Sequence, residues 1–303
     1  MANSSSTPGK QHDSRPPTSP GKGFHDGGRF FFACDYAPVA ERGFKGAGEV
    51  NLWVETEGSG PPLLLLHGGP DFDHRAFHPG MSALASKRKL IYVDLRGRCM
   101  SRTRQPVGLD RDVHDVAAVL TTLGIEAVEI LAHSHGGYVA AAFAYAFPGR
   151  VRKLVTVGTA WGEKPEEARA RVLKAPSTGT ARTLEEQRRL RDGLFFLNPP
   201  AKELKRHYDR CVEWIESPGA YDFARQYAEA GGQAPGETEL SRTLCPVLFV
   251  AGEQDSFASV EKLRAAATRL GPRFKVAAIP DCRHMPWIEQ PEKFFAAVSA
   301  FLG

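Results

Sequence analysis

The chain has 303 residues, 42% hydrophobic and 24% charged, apolar material enough for a large core in one domain or in a domain carrying an insert. Its net charge of +4 is scattered among acids with no basic stripe to track a phosphate backbone, and no apolar run approaches the roughly 18 residues of a membrane span, so neither nucleic acid nor membrane is an expected partner. Five cysteines, Cys34, Cys99, Cys211, Cys245 and Cys282, are odd in number and form no CxxC pair, which argues against a disulfide framework and a zinc site, with a reducing cytoplasm as the expected compartment.

In chain order, residues 1–28 open with MANSSSTPGKQHDSRPPTSPGKG, which lacks the apolar core of a signal peptide and is too polar to order by burial; a disordered tail is predicted. RFFFACDY and EVNLWVETE predict an opening antiparallel pair. PPLLLLH, KLIYVDLR, AVEILAHS, VRKLVTVG, CPVLFVAG and FKVAAIP predict buried strands, and the amphipathic stretches between them predict a mostly parallel α/β sheet flanked by helices. One such helix should cover Arg111 to Leu123, with Val113, Val116, Val119, Leu120 and Leu123 on one face, and PEKFFAAVSAFL should form another. From Trp161 to Arg242 the alternation stops. That stretch carries interspersed charges and the aromatics Phe195, Phe196, Tyr208, Trp214, Tyr221, Phe223 and Tyr227, so a helical cap over 161–242 is expected, inserted into a core of 29–160 and 243–303.

Candidate chemistry gathers after the strands, where loops carry function in open parallel sheets. In LAHSHGGYVAAAFAYAF a strand runs through Ser134 directly into an alanine-rich helix. A turn that sharp admits only small neighbours, here Ala132, Gly136 and Gly137, and it lifts the hydroxyl clear of the sheet. A serine hydroxyl is a poor nucleophile at neutral pH and needs a base and a group that orients the base. Asp255, after CPVLFVAG, and His284, after FKVAAIP, follow in the order of a hydrolase triad. Glu253 lies in the same turn as Asp255 and is the competing acid. An oxyanion hole is expected from the backbone N–H groups of Gly69 and His135, the latter at a helix N-terminus. Gly68, Pro70 and His133 are expected to meet substrate.

Other histidines have plainer expectations. His133 and His135 lie at alternate positions of a sharp turn with no further ligand at suitable spacing, so no metal is expected. His67 should bond loop backbone under the site, while His74, His78 and His114 are expected to face solvent or cap turns. Asp94 and Arg96 should hold their loop by an ion pair or turn bond, and Cys282 should pack.

Together HGGPD, DLRGRCMS, AHSHGG, GEQD and the histidine of DCRH resemble the α/β-hydrolase superfamily over roughly Arg29 to Gly303. HGGP followed by HRAF and DLRG looks most like the proline iminopeptidase branch. The resemblance implies an eight-stranded sheet, a helical cap over the serine, no cofactor, and cleavage of a carboxylic ester, lactone or amide through an acyl-enzyme. AHSHGG departs from the GGSWGS elbow of the iminopeptidases toward general esterases and lactonases, Asp71 replaces the last glycine of HGGPG, and Cys99 stands where relatives carry glycine. The substrate expected is a small molecule or short peptide, with a serine hydrolase, an iminopeptidase-like aminopeptidase and a non-catalytic ligand-binding protein as the readings; oligomeric state is left open.

Overall fold

The computed structural model describes residues 24–26, 29–31, 41–47, 50–69, 72–78, 80–162, 183–198, 200–201, 205, 208–209, 230 and 235–303. The strands are β1 (Phe24–Asp26), β2 (Arg29–Phe31), β3 (Glu41–Ala47), β4 (Val50–Glu57), β5 (Pro62–Leu66), β6 (Lys89–Val93), β7 (Val128–His133), β8 (Val151–Val157), β9 (Val247–Gly252) and β10 (Phe274–Ile279). Eight of them form one sheet in the order β10-β9-β8-β7-β5-β6-β4-β3. All neighbours from β6 across to β10 run parallel, while β4 is antiparallel to β6 and to β3. The expected mostly parallel α/β sheet is present.

Its apolar runs form strands because both faces are covered. Leu63 and Leu65 point into one core, Leu64 and Leu66 into the other, and all four are fully buried. Burying each such side chain contributes about 1.5–3 kcal/mol, and a strand buried on both faces has no reason to alternate with polar residues. One face is covered by α1 (Leu109–Thr122), α2 (His135–Ala146) and α5 (Val260–Leu270), the other by α7 (Pro291–Leu302) and the short helix α6 (Pro286–Glu289). Helix α1 buries Val113, Val116, Val119 and Leu120 as its periodicity predicts, and α7 buries Phe294, Val298 and Leu302 at four-residue spacing.

The structure corrects the opening pair. The partner of β4 is ERGFKGA, with Ala47 opposite Val50, and not RFFFACDY, whose Arg29–Phe31 pairs instead with Phe24–Asp26. An apolar aromatic run reads as a strong strand locally, but the short connection from residue 47 to residue 50 makes the ERGFKGA hairpin the closer partner. Strand β1 also lies inside the segment 1–28 expected to be disordered; residues 1–23 of that segment lie outside the described residues.

Between 163 and 236 the described residues include helix α3 (Leu184–Phe195), capped by Thr183, whose hydroxyl accepts from the Glu186 N–H. Trp214, Tyr221, Phe223 and Tyr227 of the expected cap lie outside the described residues. Residues at both ends of the segment assigned to the cap pack against the core. Trp161 is 2% exposed, stacks on Phe249 at 6.2 Å and donates its indole N–H to Thr156 at 3.0 Å, and α4 (Glu237–Ser241) buries Leu240 in the same cluster.

Candidate active site

Ser134, Asp255 and His284 follow β7, β9 and β10, and the HGG segment follows β5, so strand order alone brings four loops to one end of the sheet. Ser134 has φ 50° and ψ −117°, a region nearly closed to residues that carry a Cβ. Neighbouring groups bolt this turn in place. The Ser134 N–H donates to the Val157 carbonyl at 2.7 Å, and its carbonyl accepts from the Thr159 hydroxyl at 2.9 Å and from the Gly137 N–H at 3.0 Å. Although Ser134 stands at the N-cap of α2, its side chain makes no capping bond.

The glycines around it are demanded by close approach. A Cβ on Gly136 would stand 2.4 Å from the Leu66 carbonyl oxygen and 2.5 Å from that of His67, and one on Gly137 would stand 2.1 Å from Thr159 Oγ1. The squeeze on Gly136 therefore comes from the backbone of β5 and its loop, rather than from Ala132 as turn geometry alone suggests. Gly68 is equally constrained, since its Cβ would lie 2.7 Å from His133 Nδ1 and 3.2 Å from Ser134 Cβ. Gly69 has φ 109°, open to glycine and strained for other residues. Pro70 and Asp71 lie outside the described residues.

His284 and Asp255 meet across 29 residues, with Nδ1 of the imidazole 2.9 Å from Oδ2 of the carboxylate, and both side chains are buried. The other carboxylate oxygen of Asp255 accepts from the Phe257 N–H at 2.7 Å and from the Ala258 N–H at 3.3 Å. Glu253 is exposed, so Asp255 is the acid that faces the imidazole. Gln254 links the two loops: its N–H donates to the Cys282 carbonyl at 3.0 Å while its side-chain oxygen accepts from the Cys282 N–H at 2.9 Å. Gly158 makes room for the pair, because a Cβ there would sit 2.7 Å from His284 Cε1 and 3.3 Å from Asp255 Oδ2.

Two phenylalanines wall the imidazole and a third backs one of them. Phe195 of α3 stacks on it at 5.5 Å, Phe257 lies 4.6 Å away, and Phe72 meets Phe195 edge-on at 5.7 Å. The His284 N–H also donates to the Phe195 carbonyl at 3.1 Å, joining α3 to this loop. Phe196 and Tyr208 turn away, packing on each other at 5.0 Å within the buried core.

His133, expected to meet substrate, is 2% exposed. Its ring packs 4.6 Å from that of His284 and 4.8 Å from that of Trp287, and its Nε2 lies 3.2 Å from the His284 carbonyl oxygen. It supports His284 from behind. Burial pushes its pKa well below the ordinary value, with the nearby His284 adding to the shift, which keeps the prop neutral. His67 behaves as expected, its Nε2 accepting from the Leu95 N–H at 3.2 Å while Nδ1 contacts the Gly68 carbonyl at 2.9 Å. Burial lowers it to about 4. His135 is half-buried, and burial, then Arg98 and His67, lower it to about 3. Cys282 is fully buried and burial pushes its thiol far above the ordinary range, so it packs rather than reacts.

Two expectations fail. His74 and His78 do not face solvent: they are 1% and 4% exposed, and they lie with Glu55, Asp73 and Asp94 beneath the loop that follows HGGPD. Burial opposes a charge on His74, but the Asp94 and Glu55 carboxylates outweigh it and hold its pKa well above the ordinary value. Local sequence offers no signal for this cluster, because its members come from β4, the 3₁₀ turn His74–Phe77 and the end of β6. His114 is exposed as expected, and Arg96 pairs with Asp115 at 2.6 Å.

A family model described as alpha/beta hydrolase fold matches residues 61–291, and the chain belongs to that family. Among curated proteins it is 26% identical over 274 residues to a proline iminopeptidase of Heyndrickxia coagulans, covering 82% of this chain and 93% of that one. It is 28% identical over 295 residues to a pimeloyl-[acyl-carrier protein] methyl ester esterase of Nitrosospira multiformis, covering 84% and 99%. Among solved structures, a thermophilic esterase from Thermogutta terrifontis superposes with a TM-score of 0.68 at 26% identity, covering 87% of this chain and 98% of that one. These relatives are hydrolases of the same fold, similar to this chain over most of its length.

Proposed function

We propose that the protein is a serine hydrolase that cleaves a carboxylic ester, lactone or amide of a small molecule through an acyl-enzyme. The observation that carries the reading is the 2.9 Å contact between His284 Nδ1 and Asp255 Oδ2, at the end of the sheet where Ser134 is held in a strained turn. With Nδ1 engaged, Nε2 is the basic atom. It takes the proton as Ser134 Oγ attacks the carbonyl carbon, and gives it to the departing alkoxide or amine. Water then attacks the acyl-serine with His284 again as base, releasing the acid and restoring the hydroxyl. Gly69 and His135 supply backbone N–H groups to the oxyanion, where loss of one donor costs about 10²–10³ in turnover. Phe195 and Phe257 exclude water from the imidazole and favour an apolar group beside it.

The similarity to a proline iminopeptidase supports a second reading, an aminopeptidase acting on short peptides. That activity needs a carboxylate to hold the free amine of the substrate. Among the described residues near α3, Asp192 and Asp209 pair with Arg191 and Lys205, and Glu289 accepts from the Leu197 and Arg283 N–H groups; the ester reading is preferred because the AHSHGG elbow departs from that of the iminopeptidases.

Wild type and Ser134→Ala should be compared on p-nitrophenyl acyl esters and aminoacyl anilides, with a fluorophosphonate probe alongside. Loss of at least about 10³-fold in kcat and of labelling is expected for Ser134→Ala. Unchanged turnover rejects Ser134 as nucleophile, and absence of labelling in wild type favours a binding protein. Strong preference for a free N-terminal proline, abolished by acetylation, would select the peptidase.

A further inference from the structure

We propose that Glu55, His74 and His78 form a structural site for a divalent transition metal, best suited to Zn²⁺, that clamps the segment following the HGGPD loop to the sheet. The proposal is independent of the hydrolase chemistry and uses none of the residues assigned to it.

The three side chains offer two imidazole nitrogens and a carboxylate whose ligand atoms all lie within 4.8 Å of one another, and each side chain is buried. The separations are informative. His74 Nε2 lies 3.5 Å from Glu55 Oε1, and His78 Nε2 lies 3.3 Å from Glu55 Oε2. Both are long for a charge-assisted hydrogen bond, which closes to about 2.7–2.9 Å. The second equals and the first slightly exceeds the edge of a tetrahedron around Zn²⁺, where bonds of about 2.0–2.1 Å put neighbouring ligands roughly 3.3–3.4 Å apart; each imidazole faces a different oxygen of the carboxylate, and a fourth ligand would be a water.

The surroundings are those of a metal site as well. His74 Nδ1 lies 2.6 Å from Asp94 Oδ1, the carboxylate–imidazole contact that fixes a ligand's tautomer and leaves Nε2 for the metal. Asp94 is itself anchored by the His74 and Met100 N–H groups at 3.0 and 3.1 Å. The Trp53 indole N–H donates to Glu55 at 3.1 Å, and the His78 ring lies 4.2 Å from that of Tyr92. Charge also favours a dication. Asp73 is matched by its two-point pair with Arg75, which leaves the Glu55 and Asp94 carboxylates facing the two imidazoles. Borderline nitrogen and oxygen donors suit Zn²⁺ over Mg²⁺ or Ca²⁺.

Glu55 belongs to β4, whereas His74 opens and His78 closes the 3₁₀ turn that begins four residues downstream of Pro70, so the ion would fasten that turn to the sheet. Because all three ligands are buried, exchange should require local opening and be slow.

The test uses the untagged full chain, purified without chelator. Metal content by mass spectrometry should be close to one Zn²⁺ per chain, fall on long incubation with dipicolinate in mild urea, and return on adding Zn²⁺. Co²⁺ in its place should give the intense visible bands of a tetrahedral site. His78→Gln, which leaves the His74–Asp94 contact intact, should stay folded by circular dichroism and lose at least about 100-fold in Zn²⁺ affinity. Less than a tenth of an equivalent of Zn²⁺ both before and after the urea-assisted loading would overturn the site in favour of a metal-free charged network. So would Zn²⁺ affinity unchanged in both His78→Gln and Glu55→Gln.

Discussion

Ser134 occupies a backbone conformation that costs on the order of 1–3 kcal/mol for a residue with a Cβ, and the Val157 carbonyl and Thr159 hydroxyl hold it there. Glycine relieves that strain and alanine does not, so Ser134→Gly should be more stable than Ser134→Ala by about 1 kcal/mol in urea denaturation. Equal stabilities would show that the turn is not strained. Gly158 offers a complementary test, because its Cβ would displace the imidazole of His284 rather than any backbone atom. Gly158→Ala should lower kcat by at least about 10²-fold while the chain remains folded, with strain at φ 65° costing about 1–2 kcal/mol of stability. Full activity in Gly158→Ala would mean that His284 does not act from this position. At this scale the sequence was informative where spacing is local: the small residues around Ser134 declare a turn. It was silent on Gly158, whose importance arises from a side chain more than a hundred residues away.

Two glycines in helices show how differently an element can use the same residue. Gly136 in α2 has no room for a methyl group because β5 carbonyls stand where it would go, while Gly193 in α3 has nothing within 4 Å of its absent Cβ. Gly193→Ala should therefore stabilise by about 0.5–1 kcal/mol through helix propensity. Gly136→Ala should cost at least about 3 kcal/mol or yield no soluble protein, since the clash is with backbone that cannot rotate away. Chemical denaturation of the two variants checks both signs, and a tolerated Gly136→Ala would require α2 to sit farther from β5. Element by element, α1 and α7 were legible because a helix face repeats every three to four residues. Strand β3 was not legible, because ERGFKGA, with two glycines and three charges, carries little strand propensity and extends by pairing with β4.

Across the whole molecule, buried imidazoles make stability depend on pH. His67 has a folded pKa near 4 because burial, and then the Arg98 charge, disfavour its protonated form, and His133 is shifted in the same direction. In the unfolded chain these rings regain an ordinary value near 6.5, so at lower pH the unfolded state binds more protons. The stabilisation is complete above about pH 6.5 and is lost as pH falls toward 4, on the order of 3 kcal/mol for His67. The urea midpoint should drop between about pH 6.5 and 5, and His67→Gln should flatten that drop. His74, held above its ordinary value, works in the opposite direction, so the comparison with His67→Gln is the decisive one: identical pH profiles for wild type and His67→Gln would show that His67 is not held neutral. Asp73 is shifted downward despite burial through its pair with Arg75, and it adds to the loss at lower pH still.

The amino-acid order was sufficient to determine the buried strands from β4 onward, the helices α1 and α7, the order of Ser134, Asp255 and His284 along the chain, and the small residues at the turn, because each depends on neighbours a few positions away. Only the tertiary structure decided that Asp255 rather than Glu253 faces His284, that His133 supports from behind, and that His74 and His78 are buried against Glu55 and Asp94. Those outcomes depend on which strands lie side by side, and no local periodicity encodes a contact between residues that folding alone brings within a few ångströms.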